Sequence, residues 1–531
     1  MLMSNPPFSF GSTGCRRSPV FGRDVVATSS PAAAQVGLSV MRAGGNAIDA
    51  AVAVAAALSV VEPTMNGVGG DLFALVWDGA ELHGLNASGR SPMAWSLERF
   101  AARGAIPELG WDAVTVPGAV SGWVALHDRF GSRPFAELLA PAIGLARAGF
   151  PVLPKMAGLW ADAAVRFAEF GEFRRVFLPH GRAPRAGERF TLPDLARSLE
   201  QIAETRGAAL YHGELAERIA EAARIGGGAV TREDLAQHAP SFVAPIGVDF
   251  HGARVCEPPP NGQGLAALIA LGILRHLPLD RLGPEHPDAV HFQLEAMKLA
   301  FADCRRHVAD PARMRISTDE LLSEARLSRL AERISASRAA LPLPGPRPDQ
   351  GTVYASLADR DGRMVSLIQS NYLGFGSGVV VPHTGISLQN RGLGFSLDPD
   401  HPNAVAGGAL PYHTIMPGML LEGGKARMSF GVMGGHMQPQ GHVQMVLRTW
   451  LFQQDPQAAC DAPRWYVAPD GSVALEPELH AALGTGLRER GHTLIDAPPT
   501  LLFGGAQLIY QLDSFYCAGS DPRKDGQAVG L

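Results

Sequence analysis

Thr352 is the residue whose position most clearly indicates chemistry. It directly follows Gly351, at the end of a stretch rich in proline, glycine and small residues, and it precedes a run of apolar residues. A threonine hydroxyl placed there can attack the preceding carbonyl, shift the peptide to an ester and, after hydrolysis, leave Thr352 with a free α-amine. Because an α-amine has a pKa of about 8, it is a good general base at neutral pH. The sequence therefore predicts cleavage of the Gly351–Thr352 bond.

Gly434 and Gly435 are candidate donors for the oxyanion that acyl transfer creates. They follow a predicted hairpin, IMPGMLLE and ARMSFGVM, and precede a segment with the apolar spacing of an amphipathic helix. The apolar residues of that segment are Val443, Val446, Leu447, Trp450 and Leu451. Glycine allows close approach of the backbone, and the start of a helix favours negative charge.

The elements that must position these residues divide into two halves. In the first half, the pattern predicts two helices, PAAAQVGLSVMRA and NAIDAAVAVAAALSVV. A glycine-rich turn, MNGVGGD, follows them and leads into a predicted hairpin of LFALVW and LHGLNAS. Residues from about 120 to 335 have mainly helical periodicity, including HFQLEAMKLAFADCRRHV. Residues from about 336 to 351, called the connector below, predict an exposed irregular segment. After it, residues 353–358 and 364–370 predict a buried hairpin.

Composition favours a compact protein with a small-molecule partner. The chain of 531 residues is 46% hydrophobic and 18% charged, which is typical of a well-packed core. Its net charge of −5 and lack of a basic run argue against binding nucleic acid or an anionic membrane. The N-terminus shows no convincing signal peptide, so we expect a cytoplasmic protein. The most apolar run, residues 47–61, is too short to span a membrane and predicts a buried helix.

No metal or cofactor motif is present. The five cysteines contain no C-x-x-C and predict buried free thiols, and there is no H-E-x-x-H. His436 and His442 are six residues apart and do not share a helix face. The glycines of LGFGSG lack the spacing of a phosphate-binding loop. The segment Asp521-Pro522-Arg523 predicts a charged turn, or a brace behind a functional site.

Several motifs, in the same order along the chain, resemble those of γ-glutamyltransferase family proenzymes. They are GGNAIDAAVA, MNGVGGD, TVPGAVSGW, YHGELAERI, TVYAS, GFGSG, GVMGGHM, APRW and GSDPRKDG. The resemblance implies the four-layer αββα sandwich of N-terminal-nucleophile hydrolases. It also implies a large fragment, 1–351, and a small fragment, 352–531, that remain together as a heterodimer able to dimerise further.

The acyl-transfer residues implied by the resemblance are all present. The nucleophile falls on Thr352, and the threonine that supports its amine and hydroxyl falls on Ser370, which keeps a hydroxyl. The glycine pair of the oxyanion hole falls on Gly434 and Gly435. The implied mechanism is attack by Thr352 Oγ on an amide, formation of an acyl-enzyme, and release by water or an acceptor amine.

The substrate-binding positions implied by the resemblance are altered. The family arginine for the glutamyl α-carboxylate becomes Ser88, with Arg90 two residues later, and the aspartate for the α-ammonium becomes Gly394. The remaining altered positions are Arg391 in place of a glutamine, His413-Thr414 in place of a serine pair, and Tyr372, with Asn371 adjacent, in place of an asparagine. A carboxylate is lost and a guanidinium gained, so this site is expected to bind a carboxylate or polar acyl group without an ammonium.

Three functions follow from these observations. The leading one is a self-cleaving γ-glutamyltransferase-like amide hydrolase or acyltransferase that acts on γ-glutamyl or related small carboxylated amides. The alternative within the same class has lost γ-glutamyl recognition and acts on an oxamate-type amide, or on an acyl side chain like a cephalosporin acylase. The alternative from another class is an uncut, inactive binding protein.

Overall fold

Two seven-stranded antiparallel sheets form the centre of the structure, a computed structural model that describes residues 17–340 and 351–531. The strands, in chain order, are β1 (Val20–Gly22), β2 (Val25–Thr28), β3 (Asp71–Trp77), β4 (Leu82–Ala87), β5 (Phe150–Pro151), β6 (Arg189–Phe190), β7 (Ser241–Val243), β8 (Ile246–Phe250), β9 (Ala253–Glu257), β10 (Val353–Ala358), β11 (Met364–Ser370), β12 (Gly418–Glu422), β13 (Lys425–Met433), β14 (Trp465–Val467), β15 (Val473–Leu475), β16 (Gly505–Gln511), β17 (Tyr516–Ser520) and β18 (Gln527–Gly530). The first sheet has the order β1-β17-β16-β13-β12-β9-β8, and the second has the order β18-β2-β10-β11-β3-β4-β7.

Helices cover the outer face of each sheet. They are α1 (Pro31–Arg42), α2 (Ala47–Val61), α3 (Leu97–Ala101), α4 (Ala119–Phe130), α5 (Phe135–Ala148), α6 (Pro154–Arg166), α7 (Gly171–Phe177), α8 (Pro193–Thr205), α9 (Ala208–Tyr211), α10 (Glu214–Ile225), α11 (Arg232–Ala236), α12 (Gly264–Leu274), α13 (Pro287–His307), α14 (Thr318–Leu321), α15 (Glu324–Ala331), α16 (Met437–Val446), α17 (Pro456–Asp461) and α18 (Pro477–Glu489). Helices α1, α2 and α4 pack on the second sheet, and α12, α16 and α17 pack on the first.

The two sheets face each other across the middle of the sandwich. Strand β10 shows why: Val353 and Ala355 belong to the apolar core under the helices, whereas Tyr354 packs with Met433 of the opposite sheet. Because neighbouring side chains on a strand point to opposite faces, a strand that is apolar on both faces must lie between two layers. The predicted four-layer αββα sandwich is confirmed.

Helix α2 anchors the helical layer behind β10 and β11. Its N-cap residue Asn46 accepts hydrogen bonds from the backbone N–H groups of Ile48 and Asp49, and Asp49 bonds back to the Asn46 N–H. All fifteen residues of α2 are buried, as predicted, because its many alanines permit close packing on every side. No helix in the described part of the chain is both long and apolar enough to cross a membrane.

The three predicted hairpins are confirmed as β3–β4, β10–β11 and β12–β13. The predicted helix after Gly435 is α16, which continues as a π-helical turn over Leu447–Leu451. The amphipathic character expected of α16 is wrong, since all ten of its residues are buried between β13, α12 and β14. The largely helical region from about 120 to 335 also contains strands β5 to β9, three of which join the central sheets.

The connector is only partly described. Residues 336–338 and 340 are exposed and irregular, as predicted, whereas residues 341–350 lie outside the described residues and Gly351 is buried. The four cysteines in the described part, Cys256, Cys304, Cys460 and Cys517, are free and buried as expected. Cys15 lies outside the described residues.

Gly431 sets the spacing between the sheets and provides a test of the fold. A Cβ added there would lie 2.3 Å from Tyr354 Cε2, so Gly431→Ala should force the sheets apart and lower stability by about 1–3 kcal/mol. A Cβ at Gly144, inside α5, meets nothing within 4 Å, so Gly144→Ala should raise stability by about 0.5–1 kcal/mol. Thermal unfolding should therefore show a lower Tm for the first variant and a higher Tm for the second; equal shifts would contradict this packing.

Candidate active site

Four polar residues lie side by side at one end of the second sheet. Val353 pairs with Gln369, so Thr352, one residue earlier, lies across from Ser370. On its other side, Ser370 pairs with Asp71. Leu72 pairs with Ala87, so Asp71 lies across from Ser88, the residue that follows β4. We call Thr352, Ser370, Asp71 and Ser88 the polar row. Adjacent strands are about 4.8 Å apart, so the row extends about 14 Å. All four side chains point between the two sheets, because Val353, Leu72 and Ala87 point to the helical layer.

The hydroxyl of Thr352 lies against the carbonyl of Gly351. Thr352 Oγ1 donates to Gly351 O at 2.8 Å, and the Ser370 hydroxyl donates to the same oxygen. The two hydroxyl oxygens are 3.4 Å apart, and the backbone N–H of Tyr372 donates to Ser370 Oγ at 2.8 Å. Thr352 is only 1% exposed. The uncut chain therefore holds a buried nucleophile beside a carbonyl that a second hydroxyl polarises.

Glycine is the only residue type that position 351 accommodates. Its φ angle is +137°, in the region that favours glycine, and an added Cβ would lie 2.4 Å from the carbonyl oxygen of Tyr372 and 2.5 Å from the N of Gly374. The segment after β11 thus closes over the bond between Gly351 and Thr352. Because this tight contact leaves no room for a side chain at position 351, the carbonyl there is unhindered, as inferred from the sequence.

The glycine turn, Gly434–Gly435, joins β13 to α16 opposite Thr352. Both residues have positive φ angles, +118° and +56°, and their carbonyl oxygens accept hydrogen bonds from Met437 N and Gln438 N at the start of α16. Gln263 Nε2 donates to Gly435 O at 2.9 Å, which holds the turn from behind. The helix α16 begins directly after the turn, so the positive end of its dipole lies there.

Arg391 is the buried cation of the site. Its Nη1 donates to Thr414 Oγ1 at 2.8 Å, and its guanidinium lies 4.1 Å from the centre of the Tyr372 ring. A cation over an aromatic face is attracted by the ring and held in one plane. The backbone carbonyl of the same Tyr372 lies against Gly351, so one residue contacts both Arg391 and Gly351. The structure therefore brings together the predicted residues Arg391, Thr414 and Tyr372.

Asp71 is a site residue that sequence reasoning missed. Its Oδ2 lies 3.1 Å from His413 Nε2 and 4.0 Å from Arg391 Nε, and its Oδ1 accepts from Gly89 N at 3.1 Å. Since His413 Nδ1 accepts from Ile415 N at 3.3 Å, the ring carries its proton on Nε2 and donates it to Asp71. Asp71 is the last residue of MNGVGGD, a glycine-rich turn and one of the motifs of the family resemblance, and neither of these features assigns a role to Asp71.

The electrostatic balance of this group follows from its burial. Burial raises the pKa of the Asp71 carboxyl to about 7, and the nearby charge of Arg391 opposes this rise. Burial lowers the pKa of His413 well below its usual range, and the positive charge of Arg391 lowers it further. Near pH 7, His413 is therefore neutral, Arg391 carries a positive charge, and Asp71 is only partly ionised.

Two predicted substrate-binding residues, Asn371 and Arg90, lie elsewhere. Asn371, next to Ser370 on the strand end, points to the opposite side, where its Nδ2 donates to Ser387 Oγ at 3.2 Å. Arg90 donates to Asp310 Oδ2 at 3.0 Å and to the Gly408 carbonyl at 2.9 Å, so its head group is already engaged away from Thr352. Alternation along the strand directs the Asn371 side chain away from Ser370, and the acidic partner Asp310 holds the head group of Arg90.

Ser88 closes the far end of the polar row. It hydrogen-bonds Asn86 Oδ1 at 2.8 Å and borders a cavity of about 290 Å³ that Arg90 also lines.

The missing carboxylate at Gly394 also has a structural cause. A Cβ at Gly394 would lie 2.3 Å from the Tyr412 carbonyl oxygen, so an aspartate does not fit there without a shift of the backbone.

The segment Asp521–Arg523 forms the predicted charged turn, and it also acts as a brace. Asp521 is buried, pairs with Arg464, and accepts from Ala506 N at 2.7 Å. Ala506 follows Gly504 closely, and Gly504 Cα would lie 3.1 Å from a Cβ at Gly434. The brace therefore supports the chain on which the glycine turn rests.

One cluster in the described residues, away from Thr352, has the chemistry of metal ligands. His291, Glu295 and His492 are buried and bring their ligand atoms within 4.8 Å of one another. The Lys298 ammonium donates to Glu295 Oε1 at 2.8 Å and lies 3.3 Å from His492 Nδ1. The cluster thus already contains a positive charge where a metal ion would bind.

This arrangement of a threonine nucleophile at a strand start, between two facing sheets, defines the class of N-terminal-nucleophile amide hydrolases. The chain matches the family described as Gamma-glutamyltranspeptidase over residues 33–531. It is 36% identical to the oxamate amidohydrolase proenzyme of Klebsiella pneumoniae, covering 94% of this chain and 96% of that protein. It is 34% identical to the glutathione hydrolase-like YwrD proenzyme of Bacillus subtilis, covering 97% and 100%. The crystal structure of cephalosporin acylase from Bacillus halodurans superposes with a TM-score of 0.93 at 44% identity, covering 100% and 99%. The chain belongs to the γ-glutamyltranspeptidase family.

Ser370 is expected to accelerate self-cleavage because it donates to the carbonyl that Thr352 attacks. Removal of one donor to a developing oxyanion costs about 100- to 1,000-fold in rate, so Ser370→Ala should leave most of the chain uncut while Ser370→Thr is cleaved. The uncut fraction is measured against time on denaturing gels. Ser387→Ala, on the opposite side of the strand end, is the matched control and should be cleaved normally. Normal cleavage of Ser370→Ala would show that its contact with Gly351 is incidental.

Proposed function

We propose that the protein cleaves itself between Gly351 and Thr352 and then hydrolyses small carboxylated amides through an acyl-enzyme on Thr352. The observation that carries this proposal is the 2.8 Å hydrogen bond from Thr352 Oγ1 to the Gly351 carbonyl, with Ser370 on the same oxygen. The hydroxyl already lies against the carbonyl group whose carbon it attacks, so binding energy is not needed to bring the two groups together.

Self-cleavage is the first reaction. Thr352 Oγ attacks the Gly351 carbonyl carbon, and the negative charge that develops on the carbonyl oxygen is stabilised by the Ser370 hydroxyl. The C–N bond then breaks, the Thr352 nitrogen takes up the hydroxyl proton, and water hydrolyses the ester. The products are a new carboxylate on Gly351 and an α-amine on Thr352. The two fragments share both central sheets, which supports a heterodimer that persists after cleavage.

The mature enzyme then uses the same hydroxyl on a substrate amide. The α-amine of Thr352 takes the Oγ proton, Oγ bonds to the acyl carbon, and the leaving amine departs with the proton that the α-amine received. The glycine turn lies just before Gln438, whose Nε2 is 3.4 Å from Thr352 Oγ1, and we propose that the turn donates to the oxyanion. Water, or an acceptor amine, releases the acyl group by the reverse sequence of proton transfers.

A carboxylate on the acyl group is the feature best matched by the site. Arg391, which lies over the Tyr372 ring and bonds to Thr414, has a planar guanidinium of the kind that binds carboxylates with two hydrogen bonds. The carboxylate of Asp71 is already bonded to His413 and Gly89, so it is poorly placed to receive a substrate ammonium. Gly394 offers no side chain for that ammonium. These contacts favour an oxamate-type or ω-carboxyacyl amide over a γ-glutamyl amide.

The other candidate functions make different predictions. A γ-glutamyl hydrolase or transferase would require an ammonium partner beside Arg391, and its rate on γ-glutamyl-anilide would exceed that on oxamate. Rates measured on the two substrates side by side therefore separate these functions. An uncut binding protein would remain a single chain. The hydrogen bond between Thr352 and the Gly351 carbonyl favours cleavage instead, because it holds the attacking hydroxyl next to the bond to be cut.

Replacement of Thr352 tests self-cleavage directly. The native protein should give fragments of 351 and 180 residues, and mass spectrometry should find threonine at the new N-terminus, whereas Thr352→Ala should stay intact because it has no attacking hydroxyl. Thr384→Ala, a buried threonine whose hydroxyl bonds only to the backbone nearby, is the matched control and should be cleaved. A native protein that stays intact and is fully active would refute the proposal.

Replacement of Arg391 tests the substrate class. A hydrogen bond to a charged group contributes about 1.5–3 kcal/mol, so Arg391→Met should reduce kcat/KM for glutaryl-p-nitroanilide about 10- to 100-fold. The same variant should change kcat/KM little for butyryl-p-nitroanilide, which lacks the carboxylate. Equal losses on both substrates would mean that Arg391 serves the structure and not the substrate carboxylate.

A further inference from the structure

Three buried glutamines lie on α16, and one of them differs from the other two. Gln440 and Gln444 place both ends of their amides on the backbone of β14, at Val467 and Trp465. Gln438 is equally buried, but its Nε2 points to Thr352 Oγ1 at 3.4 Å. The first two amides attach the helix to its neighbour, whereas the third contacts the reacting atom.

The orientation of the Gln438 amide is fixed by the backbone. Its Oε1 accepts from Met416 N at 3.1 Å, so the other end of the amide must be the NH2 group. The backbone N–H of Gln438 donates to Gly435 O, which places the side chain in the first turn of α16, next to the glycine turn. A neutral donor is therefore directed at the nucleophile and cannot rotate to present its acceptor without losing the bond to Met416.

The contact of 3.4 Å is long for a hydrogen bond, and in the uncut chain the Thr352 hydroxyl also donates to the Gly351 carbonyl. Cleavage of the Gly351–Thr352 bond releases Oγ1 from this carbonyl. Hydrogen bonds at catalytic groups often become shorter when the reacting state forms. The N–H donor of Gln438 can then stabilise negative charge that develops on Oγ1.

We infer that Gln438 is a catalytic residue that stabilises Thr352 Oγ as a leaving group when the acyl-enzyme breaks down. This inference rests on the proposed acyl-enzyme. In that step water attacks the acyl carbon and gives its proton to the α-amine. The C–Oγ bond breaks, its electron pair goes to Oγ, and Oγ regains a proton from the α-ammonium. The Gln438 N–H stabilises the negative charge on Oγ until that proton arrives. The ester formed during self-cleavage breaks in the same way.

Gln438→Glu separates this function from packing. The introduced carboxyl group keeps the shape and the acceptor for Met416 N, but in its ionised form it offers Oγ1 no donor. Loss of a hydrogen bond to a charged group should slow release of the acyl group about 10-fold or more. Gln444→Glu makes the same exchange on the same helix away from Thr352, and it controls for disturbance of α16.

The readout is the fate of the acyl group from glutaryl-p-nitroanilide, with rates expressed per mole of small fragment that begins with threonine. With Gln438→Glu, a burst of nitroaniline should precede a slow steady rate, and intact mass should show the small fragment carrying the glutaryl group. Lower pH protonates the introduced carboxyl group and restores a donor, so the rate relative to wild type should rise as pH falls. The Gln444→Glu protein should show neither a burst nor this rise.

The possible results are distinguishable. If wild type never carries a glutaryl group on Thr352, even when quenched early with acid, the proposed function fails. If wild type does, and Gln438→Glu releases the group at the wild-type rate, only the role of Gln438 fails. If Gln438→Glu stays uncut, treatment with hydroxylamine tests whether the ester at Gly351 has formed. Scission at Gly351 would show that the ester forms but is not hydrolysed, which supports the role of Gln438. Resistance to hydroxylamine would overturn that role.

Discussion

The contact between the Thr352 hydroxyl and the Gly351 carbonyl is the constraint on which the rest of the site depends. It requires a strand that starts between two sheets, a residue without a side chain before it, and a segment after β11 that closes over the bond. Each of these features fits the proposed self-cleavage. The fold therefore serves to hold one hydroxyl against one carbonyl with water largely excluded.

Burial of so many polar groups is costly, and the structure offsets this cost by pairing them. In the polar row, Ser370 bonds to Gly351 and Tyr372, and Asp71 bonds to Gly89 and a neutral His413. The positive charge of Arg391 lies close to the negative charge of Asp71. A substrate carboxylate at Arg391 would add negative charge next to Asp71, whose pKa is already raised by burial. The affinity for such a substrate is therefore coupled to the protonation of Asp71.

The sequence predicted the features that depend on local pattern. The hairpin that begins at residue 353, the glycine before Thr352 and the helix after Gly435 all follow from short-range spacing, and the αββα sandwich follows from the family resemblance. Asp71 and Gln438 were missed, because only the register of β3 against β11, and the packing of α16 on the first sheet, bring them to Thr352. Arg90 and Asn371 were placed at the site because they are near it along the chain. Strand alternation and the competing partner Asp310 direct their side chains elsewhere.

The most direct test of the account concerns the α-amine of Thr352, because the claim is that this amine and the hydroxyl of the same residue act together. Treatment of the mature protein with cyanate near pH 7 carbamoylates α-amines in preference to lysines, since their pKa is about 8 and not about 10. The modified fraction of Thr352 is then measured by peptide mass spectrometry. The account predicts that hydrolysis of glutaryl-p-nitroanilide falls in proportion to this fraction. Full activity with Thr352 completely carbamoylated would contradict it.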